Sequence, residues 1–363
     1  MLLRETELAE IIGQLPGINP MDPAMANSKG QEQLFICACG FEDRALAIPS
    51  HLAESGNYKV EHSLILDHIT NKDDNAVNRP ELAGFLSRIS DDQPKELLYK
   101  NEDFAARFQS VLDSVLSGDD KEETPCVSFD ISACSSKMVL SALRMLFERN
   151  VRLRILYTEA SIYHPTIEEL QRSPQNWTVD GRGMSRGILT VEQSPLYSGI
   201  NLDELPILLV AFPTFKPERM RTIISALQPA QTIWIIGIPH APENNWRMQS
   251  MRDINLVSSS ERSYELPTFS YVETFAMLEQ LYCDQVDNYH MAVAPHGSKL
   301  QNIGISLFCL LRRDVELWFS TPESFNPTQY TAGVKDFWQI VFDNTQQVVN
   351  LVQSYGKLQL RRS

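Results

Sequence analysis

The sequence predicts an α/β protein of two tandem Rossmann-like domains, each a doubly wound, mainly parallel sheet, related by internal duplication. Three observations predict it. Short apolar runs of strand length alternate with helical periodicity along nearly the whole chain, the pattern of βαβ units with right-handed crossovers. One stretch occurs twice: Phe129-Asp130-Ile131-Ser132-Ala133-Cys134-Ser135-Ser136-Lys137-Met138, and Ala292-Val293-Ala294-Pro295-His296-Gly297-Ser298-Lys299-Leu300. Each copy runs from an apolar strand through a polar turn into a helix and then to a second apolar strand. Lys299 follows Lys137 by 162 positions (299 − 137), a domain length rather than a short repeat. The chain's 363 residues also suit two domains.

The elements follow in order. Residues 2–15 read as an amphipathic helix, and 16–30 as a loop rich in Pro, Gly, Asn and Ser. The first domain opens with a strand at 34–39, breaks at Gly40, and enters a helix at 42–54. A strand at 62–66 ends in Asp67-His68 and a polar loop at 71–75. Then come a helix at 80–89, a strand at 96–99, a helix at 103–116, an acidic loop at 118–123 and a strand at 126–129. After the Ser-Lys turn and its helix, Arg154–Glu159 is the next strand, and an extended segment at 187–193 closes the domain.

The second domain repeats the order. Its strands are expected at 207–212, 232–236, 264–266, 289–293 and 317–321, with helices at 217–227, 246–252 and 271–283. The openings align as Leu34–Phe41 on Leu208–Phe215, and Glu243-Asn244-Asn245 stands in the place of Asp73-Asp74-Asn75. An extended segment at 336–342 and a helix at 345–355 finish the domain, followed by Arg361-Arg362. The near-continuous apolar character of the strands fits sheets covered on both faces. The resulting division is an N-terminal helix and loop (1–30), a first domain (31–198) and a second domain (199–363), joined near 194–204.

Composition narrows the function classes. A net charge of −14 argues against a protein that coats nucleic acid, since phosphate binding rests on clustered Lys and Arg. Of six cysteines none forms a CxxC pair, so buried free thiols in a reducing compartment are expected, without zinc or disulfides. No run approaches the about 20 apolar residues of a membrane span, and the first fifteen residues are acidic rather than signal-like. These features point to a cytoplasmic protein. Neither opening strand leads into GxGxxG. A Walker motif, a GxSxG elbow and HExxH are also missing, so no cofactor and no metal are expected.

In open parallel sheets ligands bind beyond the carboxyl ends of the strands. Those ends carry Gly40–Arg44, then Asp67-His68, then Asp130–Lys137, then Tyr157-Thr158-Glu159 in the first domain. In the second they carry 214–219, 237–240, Pro295–Lys299 and 320–323. Asp130, Ser132, Ser135 and Ser136 can turn hydroxyls and backbone N–H groups toward an anion at a helix start, with Lys137 beside them. Ser298 and Lys299 do the same in the second copy. The same Ser and Asp residues also serve as ordinary helix caps, and the two readings stand side by side. Arg44 can grip a phosphate, or be a helix-end partner. Glu42, Asp67, His68 and His296 are the candidate acid/base groups if the protein is an enzyme, imidazole titrating near neutral pH.

The run Asp130-Ile131-Ser132…Ser136-Lys137-Met138, after a strand and before a long helix, resembles the CRISPR-associated Rossmann fold (CARF) family. Its doubling is similar to the related SAVED domain. The resemblance implies a pocket for a cyclic oligonucleotide lined by Ser132, Ser136 and Lys137, with Ser298 and Lys299 in the second copy. It also implies a role in bacterial defence signalling, with a separate effector protein as partner. The functional expectation is a non-enzymatic sensor that binds a phosphate-bearing small molecule, such as a nucleotide signal. A nucleotide- or phosphodiester-processing enzyme is the first alternative, and a scaffold subunit using Trp318, Trp338 and the last helix as contact surface is the second.

Overall fold

The computed structural model describes residues 2–21, 32–100, 103–116, 124–178, 183–199 and 204–360. The greater part of the expected Pro/Gly-rich loop, the acidic loop 118–123, the middle of the 194–204 joint and Arg361-Arg362 lie outside the described residues.

Helix α1 (Leu2–Gln14) and the short strand β1 (Asn19–Pro20) precede β2 (Glu32–Cys39), α2 (Arg44–Ser55), β3 (Val60–Asp67) and α3 (Lys72–Ile89). Then come β4 (Lys95–Leu98), α4 (Phe104–Leu116), β5 (Cys126–Asp130), α5 (Ser136–Phe147) and β6 (Arg152–Thr158). Short elements follow: β7 (Ile162–Tyr163), α6 (Ile167–Arg172), β8 (Ser185–Arg186) and β9 (Thr190–Gln193). The second run is β10 (Ile207–Ala211), α7 (Pro217–Leu227), β11 (Gln231–Ile238), α8 (Trp246–Ile254), β12 (Ser263–Pro267), α9 (Tyr271–Gln285) and β13 (His290–Ala294). It ends with α10 (Lys299–Leu311), β14 (Glu316–Thr321), β15 (Ser324–Phe325), β16 (Thr331–Ala332), β17 (Phe337–Phe342) and α11 (Thr345–Leu360).

The predicted fold class is the observed one: two mainly parallel sheets in an α/β chain. The first has the order β1-β17-β6-β5-β2-β3-β4, the second β12-β11-β10-β13-β14-β9. With β2 and β10 as strand one, each runs 3-2-1-4-5 in parallel and adds an antiparallel sixth strand, β17 (with β1 antiparallel outside it) in the first and β9, which precedes β10 in the chain, in the second. The order therefore reverses between β2 and β5 in one sheet and between β10 and β13 in the other. Burial explains the apolar strands. All eight residues of β2 and all five of β5 and of β13 are buried, as a central strand covered by helices on both faces requires.

The sixth strands correct the expected domain division. The segment at 187–193, read as closing the first domain, supplies β9, which pairs with β14 in the second sheet. The segment at 336–342 supplies β17, which pairs with β6 in the first sheet over six residues, Phe337↔Thr158 through Phe342↔Leu153. The compact units are accordingly Gln14–Tyr163 with Thr331–Leu351, and another built on His164–Tyr330. The 31–198 and 199–363 boundaries do not coincide with them. The physical reason is edge pairing: β6 and β14 end their parallel runs with unsatisfied backbone groups, and an antiparallel strand satisfies them whichever half of the chain it comes from.

Two local readings also change. The polar stretch 71–75, expected as a loop before a helix at 80–89, is the first turn of α3, where Asp73 and Asp74 complement the helix dipole. The stretches around Tyr163 and Phe325, where no strand was expected, hold β7 and β15, two-residue strands paired with β16 and β8. All six cysteines are free, and five of them are buried.

One buried ionic network ties β2, β6 and β17 together. Glu32 is 0% exposed and Arg154 1%. Arg154 Nη1 lies 3.4 Å from Glu32 Oε1, and its Nε donates to Gln339 Oε1 at 2.9 Å. The Tyr58 hydroxyl donates to the other Glu32 oxygen. Breaking one partner of such a pair leaves a charge stranded in the core.

Two measurements check this architecture. Arg154→Met is expected to destabilise the protein by about 3–5 kcal/mol in urea unfolding, because Glu32 loses its cation. A loss below about 1 kcal/mol would show the network to be dispensable. Separately expressed 1–198 and 199–363 are each expected to be insoluble, since each lacks its sixth strand, while the two co-expressed yield one soluble complex by size-exclusion chromatography. Soluble, monomeric halves would contradict the strand exchange.

Candidate functional site

The first sheet's switch point is formed by the turns after β2 and β5. Gly40 lets them approach: a Cβ there would sit 3.1 Å from the Ala133 Cβ. Asp130 ends β5, and its Oδ1 accepts from the Ser132 backbone N–H at 2.9 Å and from the Ser132 hydroxyl. That hydroxyl in turn accepts from the Thr158 N–H at 2.8 Å, joining the β5 turn to the end of β6. Asp130 and Ser132 are both buried and turned inward, so they build the floor of the turn. Ser135 caps α5, accepting from the Met138 N–H at 3.3 Å. Ser136 and Lys137 follow in the first helical turn and are partly exposed. From the side, His68 Nε2 meets the Ala133 carbonyl at 3.0 Å, as a donor in that contact.

Glu42 and Arg44, at the start of α2, form an ion pair with 7% and 3% of their surface exposed. Arg44 also donates to the Thr158 carbonyl at 3.2 Å. Burial opposes its charge, but the Glu42 carboxylate more than offsets this and raises the guanidinium above its ordinary pKa. Glu42 accepts from the Thr331 hydroxyl as well, and Asp43 from the Gly333 N–H at 2.8 Å, so this corner holds the β7–β16 ribbon. Asp67 at the end of β3 is paired with Arg79, which also reaches Glu96 at 2.8 Å.

The second sheet's switch point lies between the turns after β10 and β13. Gly297 is required here: a Cβ would fall 2.4 Å from Gln301 Oε1 and 2.9 Å from Phe212 Cδ1. Ser298 caps α10 in a capping box with Gln301, and its hydroxyl also donates to the Thr268 carbonyl at 2.5 Å. Lys299 is the first residue of α10, partly exposed. His296 is 6% exposed, its Nδ1 2.8 Å from Arg219 Nη2 and its Nε2 3.4 Å from the Ser320 nitrogen. His240 stacks on Phe269 with centroids 4.0 Å apart.

The structure thus gathers Glu42, Arg44, His68, Asp130, Ser132, Ser135, Ser136 and Lys137 around the end of the first sheet, and His296, Ser298 and Lys299 around the end of the second. The acid/base candidates are each engaged: Glu42 with Arg44, Asp67 with Arg79, His68 with Ala133, and His296 with Arg219. Among the described residues no three His, Cys, Asp or Glu side chains cluster as a metal site.

No protein-family model matches the chain, and no curated protein does. Similar solved structures include a type III CRISPR defence DNA nuclease activated by cyclic oligoadenylate. It shares 10% identity over 83% of this chain and 67% of the nuclease chain, with a TM-score of 0.47. The cytoplasmic domain of a prokaryotic cation chloride cotransporter matches at 8% identity over 81% and 96%, TM-score 0.25. PA1789 from Pseudomonas aeruginosa, functionally unknown, matches at 9% over 93% and 99%, TM-score 0.23.

Sequence reasoning passed over Arg219, although it had marked 214–219 as a strand end. With Leu34 placed on Leu208, Arg44 falls on Glu218, so a shift of one residue hides the counterpart. Thr158 lies in the strand-end segment 157–159 marked from the sequence; its N–H donates to the Ser132 hydroxyl and its carbonyl accepts from Arg44.

The inward and outward serines separate by stability. Ser132→Ala is expected to cost about 1–3 kcal/mol in chemical denaturation, because it removes the hydroxyl that accepts from the Thr158 N–H and donates to Asp130. Ser136→Ala should stay within about 0.5 kcal/mol of the parent. Equal losses would mean that the two hydroxyls share a structural role.

Proposed function

We propose that this protein is a non-enzymatic regulatory binder of a phosphate-bearing small molecule, with a nucleotide signal as the leading ligand. The observation that carries the reading is the pair of matched helix starts. In both sheets a Ser-Lys dipeptide opens the helix that leaves the switch point, Ser136-Lys137 at α5 and Ser298-Lys299 at α10. A lysine in a first helical turn opposes the helix dipole unless an anion shares the site, whereas the N–H groups of that turn favour one. Two lysines in this unfavourable place, each at the position where doubly wound sheets bind ligands, support an anionic ligand in preference to a purely structural cap.

The reading of a binder over an enzyme rests on the acid/base candidates. Each of Glu42, Asp67, His68 and His296 is held by a structural partner, and the buried pair Glu42–Arg44 cannot yield its carboxylate without leaving a bare cation. The resemblance of Asp130–Met138 to the CARF turn makes cyclic oligonucleotides the first ligands to try, and a separate effector protein the partner to seek. No helix among the described residues is long and apolar enough to cross a membrane.

Calorimetric titration with linear and cyclic nucleotides, cyclic oligoadenylate among them, tests the proposal. Saturable binding of at least one is expected, weakened about tenfold or more in Lys137→Ala, as for a lost charge-assisted contact. No heat with any nucleotide would sink the binding reading. Conversion of the nucleotide or of labelled RNA on incubation would replace it with the enzyme reading.

A further inference from the structure

Arg44 and Arg219 hold the same position in their two sheets. Each lies in the first turn of the helix that follows the first strand. Each donates to a carbonyl at the end of the fifth strand: Arg44 to Thr158 at 3.2 Å, and Arg219 to Ser320 at 3.2 Å from Nε and 2.8 Å from Nη2. Ser320 follows Thr158 by the same 162 positions that separate the two lysines (320 − 158). The arginines are counterparts by geometry as well as by order.

Their charges are treated differently. Arg44 is locked to Glu42, two residues before it. Two residues before Arg219 stands Pro217. The neighbouring acid, Glu218, is directed to the buried Lys216 at 3.4 Å. Among the described residues no carboxylate pairs with Arg219. Its side-chain acceptor is His296 Nδ1, which must carry no proton to receive that bond and therefore supplies a dipole without a charge. Burial pulls the Arg219 guanidinium down to about 10, the opposite direction from Arg44. A partly buried guanidinium without an anion is unfavourable, and the planar fork of Arg suits the oxygens of a phosphoryl group. Nε and Nη2 are spent on Ser320 and His296, while Nη1 makes no hydrogen bond to the described residues.

We propose that Arg219, oriented by Ser320 and His296, is the phosphoryl-binding residue of the second sheet, and that Glu42 acts as the built-in counter-ion closing the matching position of the first. The ligand class rests on the reading of the strand ends given above; the asymmetry between the two arginines does not. It makes the two sheet ends unequal. At the first, a ligand meets Lys137 beside an arginine already paired with Glu42. At the second, it meets an uncompensated guanidinium with Lys299 on the adjoining helix.

The test uses the full chain, inorganic phosphate and pyrophosphate as probes, and the imidazole ¹⁵N–¹H NMR signals of His296 as the readout. Both probes are expected to shift the His296 signals saturably. Arg219→Gln should weaken that response about ten- to a hundredfold, the loss of one charge-assisted bond, and Arg219→Lys should weaken it less. Pro217→Glu, which places a carboxylate where Glu42 stands, should abolish the response while raising the unfolding midpoint. This variant keeps the test decisive if the Arg219 substitutions unfold the protein. His296 signals indifferent to both anions, or a response surviving in Arg219→Gln and Pro217→Glu, would overturn the proposal. Failure of the nucleotide reading looks different: phosphate still moves His296 in the parent protein while no nucleotide gives heat.

Discussion

The structure depends on how the fifth strand of each sheet is finished. β6 and β14 end their parallel runs with a free edge, and each accepts an antiparallel strand from the other half of the chain. That pairing satisfies the backbone of the edge and fixes where the strand's last carbonyl points. Thr158 and Ser320 sit at those ends, and both receive an arginine from the helix after the first strand. In the first sheet the consequences run further. The chain beside β17 returns through β16, pairs with β7, and brings Thr331 and Gly333 to Glu42 and Asp43. The corner that carries Glu42 and Arg44 is thus assembled by a segment some 290 positions away in sequence.

Around this shared frame the electrostatics diverge. At the first sheet end Glu42 answers Arg44, and Asp130 accepts from the Ser132 N–H and hydroxyl. The second has no acid at the corresponding place, and an uncharged imidazole takes the contact instead. Two sheet ends with the same order of parallel strands and a Ser-Lys pair at the helix start therefore differ in how their arginines are paired. In a low-dielectric strand end this difference outweighs the similarity of the backbones, because compensation by a buried counter-ion changes the local field more than any movement of a flexible lysine.

Much of this was readable from residue order. Alternating apolar runs and helical periods marked the central strands, and nearly every one was found within a residue or two. Both lysines fall in the first turns of their helices as read, behind the N-caps Ser135 and Ser298, since capping and the apolar face that follows act over four residues or fewer. Asp73 and Asp74 misled, because acidic side chains suit both a loop and the first turn of a helix. The two-residue strands around 162 and 331 had no period long enough to detect.

Residue order by itself determined the two Rossmann-like sheets and their central strands, because these follow from local pattern and short connections. Only the tertiary structure decided which sheet each closing strand joins, since an edge accepts any strand that reaches it. It also decided which arginine is neutralised. Glu42 and Arg44 are near in sequence and pair, whereas Glu218 adjoins Arg219 and turns to Lys216. Charge compensation is set by side-chain direction and burial, neither of which adjacency in the chain can supply.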